Sequence, residues 1–245
     1  MTGGPDAPPA PGRPDCPFGV QQAPTPGPML ILGVNVGPVV PRLSARGRPS
    51  RTGIAKVPVA GPVAVHRHGL EGDASAYRPR DLGDTAVHAF CLESYARFAA
   101  LRGAPLPVPC FGENLTIEGY GEDEARIGDV LRAGTALLRV TQPVVRCRWP
   151  AVLSGEPRLT RWATREGLTG WFLEVLEPGH VAAGDRLDLL DRGPAGWTVR
   201  RLNRLITAKP PDATDAAAAL ALPGLAERWK AALRRAAAAD PLRPV

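Results

Sequence analysis

The chain has 245 residues, 44% of them hydrophobic, and carries 30 Lys and Arg against 24 Asp and Glu, a net charge of +6. That length can bury a full core in one large domain or one domain with a smaller attachment, and so modest a charge excess does not by itself signal nucleic acid. Four cysteines, Cys16, Cys91, Cys110 and Cys147, stand far apart with no C-x-x-C pair, which argues against a zinc ribbon or a disulfide scaffold and for a reducing cytosol.

Residues 1–28 are dominated by Pro, Gly and Ala and cannot bury enough apolar surface to offset chain entropy. They read as a disordered tail. No basic region leads into an apolar core there, and no apolar run in the chain approaches the ~20 residues of a membrane span, so a cytoplasmic protein without membrane association is expected. Order begins at Met29, where MLILGVNV supplies a strand-length apolar run ended by Gly37 and Pro38. The basic stretch SARGRPSR reads as a loop, and residues 52–59 and 62–66 as two short strands around Gly61. His66 and His68 would alternate onto one face, but no third ligand follows at metal-binding spacing, so they read as a solvated pair.

Gly69, Gly72 and Gly83 break the next segment, and strand character returns over residues 85–90. The run 92–102 predicts a helix, with Tyr95, Phe98, Ala99 and Leu101 at helical spacing and Gly103 as its stop. A proline-rich connector leads to Phe111, Gly112, Glu113 and Asn114, a turn entering a strand. Residues 125–131 and 136–140 read as strands parted at Gly134, residues 159–165 as a helix, and residues 170–176 and 185–190 as strands. Short strands with turn signals at about ten-residue intervals describe a barrel or a sandwich. From Val199 the period becomes helical and ends in an Ala-rich pattern over 225–238, a small helical appendage. Its Arg200, Arg201, Arg204, Lys209, Arg228, Lys230, Arg234 and Arg235 read as a solvated face.

The stretch TQPVVRCRWP, residues 141–150, holds the residue with the most chemistry. The apolar run before it reads as a half-buried strand that Gln142 and Pro143 stop, which leaves Cys147 on a loop carried by a rigid scaffold. Arg146 and Arg148 are the nearest formal charges, and guanidinium groups beside a thiol favour its thiolate. A half-buried structural cysteine is the alternative.

In order and spacing, GVNVG, TGIAKVPV, GPVAV, HGLEGD, FGENLT, IGDVLRAG, VTQPVVRC and GWFLEVLEPGHVAAGD, followed by the helical tail, resemble a MOSC-domain protein of the YiiM-like branch. The resemblance implies a mainly β fold with α, a β-barrel over residues 29–192 followed by a C-terminal helical region over 193–245. It implies a molybdenum cofactor, with Cys147 as metal ligand and Asp73 and Glu113 beside it as catalytic candidates. It also implies that Gly69, Gly72, Phe111, Gly112, Asn114, Gln142, Arg146 and Arg148 line the cofactor pocket. Glycines let backbone N–H groups approach an anion, and arginines can grip a phosphate in bidentate fashion. Asp73, Glu113 and His88 are the proton-donor candidates.

Two departures from the family pattern stand out. Tyr77 to Asp84 replaces a His-Gly-Gly segment, and PVVRCRW replaces P-R-x-P-C-x-K-L, so that the arginine stands next to the cysteine. Members of this branch reduce N-hydroxylated compounds, including hydroxylaminopurines, to amines, a detoxifying activity. A carrier holding a persulfide on Cys147 and a non-enzymatic anion-binding descendant are the alternative functions. The chain has neither a Rossmann glycine fingerprint nor a ferredoxin-type cysteine set, so a reductase of this kind would take electrons from a separate donor protein. Nucleic acid is an unfavoured partner, and self-association stays open.

Overall fold

The computed structural model describes residues 28–43, 49–76, 83–208 and 211–238. The expected disordered tail up to residue 27, with Cys16, the stretch 77–82 and Lys209 lie outside the described residues. The strands are β1 (Leu30–Val36), β2 (Val40–Leu43), β3 (Pro49–Thr52), β4 (Val57–Pro58), β5 (Val63–His66), β6 (Gly69–Leu70), β7 (Val87–Cys91), β8 (Leu115–Glu118), β9 (Val130–Ala133), β10 (Ala136–Pro143), β11 (Trp171–Glu177), β12 (Gly179–Val181) and β13 (Leu187–Asp191). The helices are α1 (Leu92–Arg102), α2 (Trp149–Ser154), α3 (Leu159–Glu166), α4 (Val199–Thr207), α5 (Ala213–Leu220) and α6 (Glu227–Ala238).

Eight strands form one sheet in the order β13-β9-β10-β11-β7-β8-β1-β4. Neighbours are antiparallel except β7 and β8, which run parallel and are joined through α1, as a parallel pair requires a crossover. The first and last parts of the sheet also touch: Leu30 bridges Arg186, and Leu187 N–H donates to the Met29 carbonyl at 2.9 Å. The expected architecture thus stands as a mixed α/β protein built on a large sheet with six helices among the described residues.

The sheet has two different faces because side chains alternate along each strand. Val87, Ala89, Leu115, Val140, Trp171 and Leu173 point into the main core. His88 and Phe90 point the other way, Phe90 into a second cluster with Tyr95, Phe98, Phe111, Leu159 and Trp162. All five residues of β7 are therefore buried, one set on each side. Burying each large apolar side chain contributes about 1.5–3 kcal/mol, so the second cluster is a strong anchor for the loop that carries Phe111. The helices α4 to α6 supply Leu202, Leu205, Ala219, Trp229 and Leu233 to the main core. They share the sheet's core, although composition alone marked them as an appendage.

Several boundaries differ from the sequence reading for physical reasons. The end of the supposed basic loop is strand β3, which exists through its pairing with β2. The supposed strand 125–131 begins only at Val130, because Asp129 accepts from the Arg126 N–H at 2.9 Å and turns the preceding chain. Gln142 and Pro143 do not stop β10; they pair opposite Phe172 and Trp171. The short helix α2, with a proline in its first turn, follows Cys147 directly.

Candidate active site

The site grows from one row of the sheet. Gln142 on β10 lies opposite Phe172 on β11, which lies opposite His88 on β7. His88 is tied to Asn114 by two hydrogen bonds: the Asn114 N–H donates to the His88 carbonyl at 2.7 Å, and the His88 N–H donates to the Asn114 side-chain Oδ1 at 3.0 Å. The Asn35 N–H continues the row by donating to the Asn114 carbonyl at 2.7 Å. Directly opposite residues in a sheet share a face, so Gln142, Phe172, His88 and Asn114 form a polar and aromatic strip away from the main core.

Three loops close over this strip. The first carries Cys147, whose side chain is exposed, between two arginines that diverge. Arg148 turns outward and lies over the Trp149 ring, 5.2 Å from its centroid. Arg146 turns inward. Its guanidinium donates to the Phe111 carbonyl at 3.0 Å, to the Thr169 carbonyl and to His88 Nε2 at 2.9 Å, and it lies 5.2 Å from the Phe111 ring and 5.6 Å from the Phe90 ring. Burial lowers its pKa to about 10, against the raising effects of Cys147 and of the Glu113 and Glu122 carboxylates. Arg146 is therefore a clamp on protein groups, at a position that the resemblance places in the cofactor pocket.

That clamp fixes the state of His88. A guanidinium only donates, so Nε2 must accept and the ring proton sits on Nδ1, bonded to the Gly112 backbone. Burial, and then the Arg146 charge, push the His88 pKa well below the usual imidazole value. His88 is neutral with both nitrogens engaged, and has no spare proton to give.

The second loop is Phe111 to Asn114. Glu113 is fully buried; one oxygen accepts from the Tyr95 hydroxyl and the other from the Phe111 N–H at 3.1 Å. Burial raises its pKa above the usual carboxylate range. These bonds hold the loop in shape. Gly112 has φ +77°, and a Cβ there would overlap Ile54 Cγ1, so both backbone conformation and space require glycine.

The third loop brings Asp73. It forms an ion pair with Lys56 and accepts from Asn114 Nδ2 at 2.9 Å and from the Gly37 N–H at 3.1 Å. The Lys56 side chain is only 6% exposed, and burial lowers its pKa despite the opposing pull of Asp73. Lys56 lies inside the TGIAKVPV pattern, and its sequence signal is a lone lysine in an otherwise apolar segment. Gly69 and Gly72 both have positive φ, 137° and 77°, and shape the turn that delivers Asp73. Gln142 is fully buried, and among the described residues both its amide nitrogen and its amide oxygen lack a hydrogen-bond partner.

The structure therefore brings Asp73, Asn114, Glu113, Phe111, Gly112 and Arg146 into one connected network ending at Cys147. His66 and His68 are exposed, and no group of three metal-ligating side chains occurs among the described residues. A cavity of about 250 Å³ lies elsewhere, lined among others by Cys91, Ser94, Arg97 and Glu122. Glu122 there accepts from Ser94 Oγ at 2.7 Å and from the Gly170 N–H at 2.8 Å, which makes it a buried fold contact.

Residues 61–188 match the MOSC domain. The chain belongs to the MOSC family. Residues 197–241 match the YiiM-like, 3-alpha helix domain, which covers α4 to α6. An uncharacterised Bacillus subtilis protein, YflK, is 33% identical over 206 residues, 84% of this chain and 93% of its own length. A Gibberella moniliformis protein named Reductase is 31% identical over 76% of this chain, a match that spans 34% of that longer protein. The crystal structure of YiiM from Geobacillus stearothermophilus superposes with a TM-score of 0.72 at 28% identity, covering 86% of this chain and all of that one. No helix among the described residues is long and apolar enough to cross a membrane.

Proposed function

We propose that this MOSC protein is a molybdenum cofactor-binding oxidoreductase that reduces N-hydroxylated compounds to amines, with Cys147 as the sulfur ligand. The carrying observation is an exposed thiol four residues beyond the end of β10, in a MOSC-family chain, on a loop pinned from behind by Arg146. MOSC domains are associated with this cofactor, and a relative named as a reductase supports redox chemistry. In this reading the sheet is a MOSC barrel, which the Leu30–Arg186 bridge supports.

The donor set fits the group. A thiolate is a soft ligand suited to a metal already held by sulfur, and Cys147 is open to solvent. Arg148 has no carboxylate partner among the described residues and can meet an anionic pterin substituent. Gln142 holds an unpaired donor and acceptor in the strip behind the loop. The bound cofactor would supply two-electron exchange at an N–OH oxygen.

The chain's own residues then do the rest. Arg146 and His88 hold the Cys147 loop against the strip. Glu113, through Tyr95 and Phe111 N–H, keeps the opposite loop in shape. Of the three proton-donor candidates Asp73 alone keeps a partly open side chain, 14% exposed, and the proton beside it is carried on Lys56 Nζ. Burial lowers the lysine pKa, which makes its ammonium a better acid.

The test is metal and pterin content by mass spectrometry after expression in cells that make the cofactor. Molybdenum in the wild type and its loss in Cys147→Ala are expected; absence in the wild type, or equal retention by the variant, overturns the reading. A labile added sulfur mapped to Cys147 in molybdenum-free protein would instead support the persulfide carrier.

A further inference from the structure

The surface around Cys147 carries a feature of which the reading above uses only Arg148. Residues 141–165 hold five arginines against one acid, Glu156. Arg146 is turned inside, Arg158 closes on Glu156 through Nε at 2.8 Å and Nη2 at 3.1 Å, and Arg165 meets Glu166 at 2.8 Å. Arg148 and Arg161 are left exposed with no ion pair among the described residues. Arg161 follows Thr160 on α3, and the Thr160 hydroxyl, donating to the Cys147 carbonyl at 3.1 Å, ties that turn of the helix to the Cys147 loop. Two valines near these cations are exposed: Val145, at 64%, two residues before Cys147, and Val152, at 51%, whose N–H donates to the Arg148 carbonyl at 3.2 Å.

We propose that Arg148, Arg161, Val145 and Val152 form the docking surface for an acidic one-electron carrier protein that delivers electrons at the Cys147 loop. The proposal rests on the reductase reading: converting N–OH to N–H consumes two electrons and two protons and releases one water. A one-electron carrier therefore docks twice per turnover and leaves oxidised each time. An apolar centre with a charged rim is the anatomy of a protein interface, and opposite charge steers the encounter. Single-stranded nucleic acid would call for exposed aromatic platforms, whereas Trp149 and Trp162 are buried. A membrane surface would call for a long amphipathic helix, whereas α2 has six residues.

The full-length protein is immobilised and titrated with a plant-type [2Fe–2S] ferredoxin and with a flavodoxin at low and high salt. Anionic phospholipid vesicles and single-stranded DNA serve as competing probes. Salt-sensitive binding of at least one carrier is expected, weakened about tenfold or more in Arg148→Glu/Arg161→Glu and also weakened in Val145→Ser/Val152→Ser, with thermal midpoints unchanged. Turnover driven by a reduced dye stays at the wild-type level in Arg161→Glu, while carrier-driven turnover falls. Carrier binding indifferent to both double variants, or variants that lose only vesicle or DNA binding at physiological salt, overturns the proposal. Binding needs no metal, so molybdenum-free protein that still docks the carrier defeats the proposed function alone. Dye-driven turnover with indifferent docking defeats this surface alone.

Discussion

Replacing Arg146 by methionine keeps most of the side-chain volume and deletes the fork. The Phe111 carbonyl, the Thr169 carbonyl and His88 Nε2 then lose their donor in a buried setting, and each orphaned acceptor costs about 1–3 kcal/mol. Against this, the protein no longer buries a cation that lacks, among the described residues, a carboxylate at hydrogen-bonding distance, a relief of several kcal/mol. The stacking over Phe111 and Phe90, about 0.5–2 kcal/mol, is also weakened. The net loss is about 2–4 kcal/mol, which moves the urea midpoint by about 1 M or more. Because the fork ties the Cys147 loop to two distant segments, the variant should also alkylate faster at Cys147 under native conditions. Arg146→Lys, which supplies a point charge in place of a fork, should rescue only part of both effects. A variant with wild-type midpoint and wild-type alkylation rate would refute the clamp. A lowered midpoint with an unchanged alkylation rate would leave Arg146 as a stabilising group that does not position the thiol.

His88 sets a pH window. Its folded pKa lies below the ordinary value of 6.5, so the unfolded chain binds more protons there; the stabilisation is full above pH 6.5 and is lost as pH falls toward the folded pKa. Denaturation midpoints should drop below pH 6.5, and His88→Gln should flatten that slope; an unaltered slope rules the assignment out. Asp73→Ala strands the Lys56 ammonium, which is mostly buried, and should cost about 3 kcal/mol, whereas the pair replacement Lys56→Met/Asp73→Asn should recover part of it; equal stability of single and double variants would show that no buried charge was stranded. Gly112→Ala should cost at least about 2 kcal/mol from left-handed strain and the overlap with Ile54, with partial recovery in Gly112→Ala/Ile54→Ala. Full wild-type stability in the single variant would mean that the loop has another conformation.

Local pattern made a good part of the fold legible. The run MLILGVNV is β1, the helical spacing of Tyr95 and Phe98 with its glycine stop is α1, and the Ala-rich end is α6. Periodicity carries such elements because one buried face suffices to define each. Strands β2, β3 and β12 were not legible: they are three or four residues long and are made by their partners.

The candidate site divides in the same way. That Cys147 stands on a loop after a strand, and that the arginine had moved next to it, follows from sequence order alone. Which way that arginine points does not follow from order, because a loop has no period that assigns its side chains to a face. Its direction was decided by acceptors 35 and 23 residues away, on the Phe111 loop and at Thr169. Lys56 joined the site by the same route, through an aspartate 17 residues further along the chain that a glycine turn brings back to it. Sequence thus determined the thiol and its scaffold; tertiary contact decided that one neighbouring arginine is a half-buried inward clamp and the other an open charge, since a guanidinium turned inward needs fixed acceptors, here met at its terminal nitrogens.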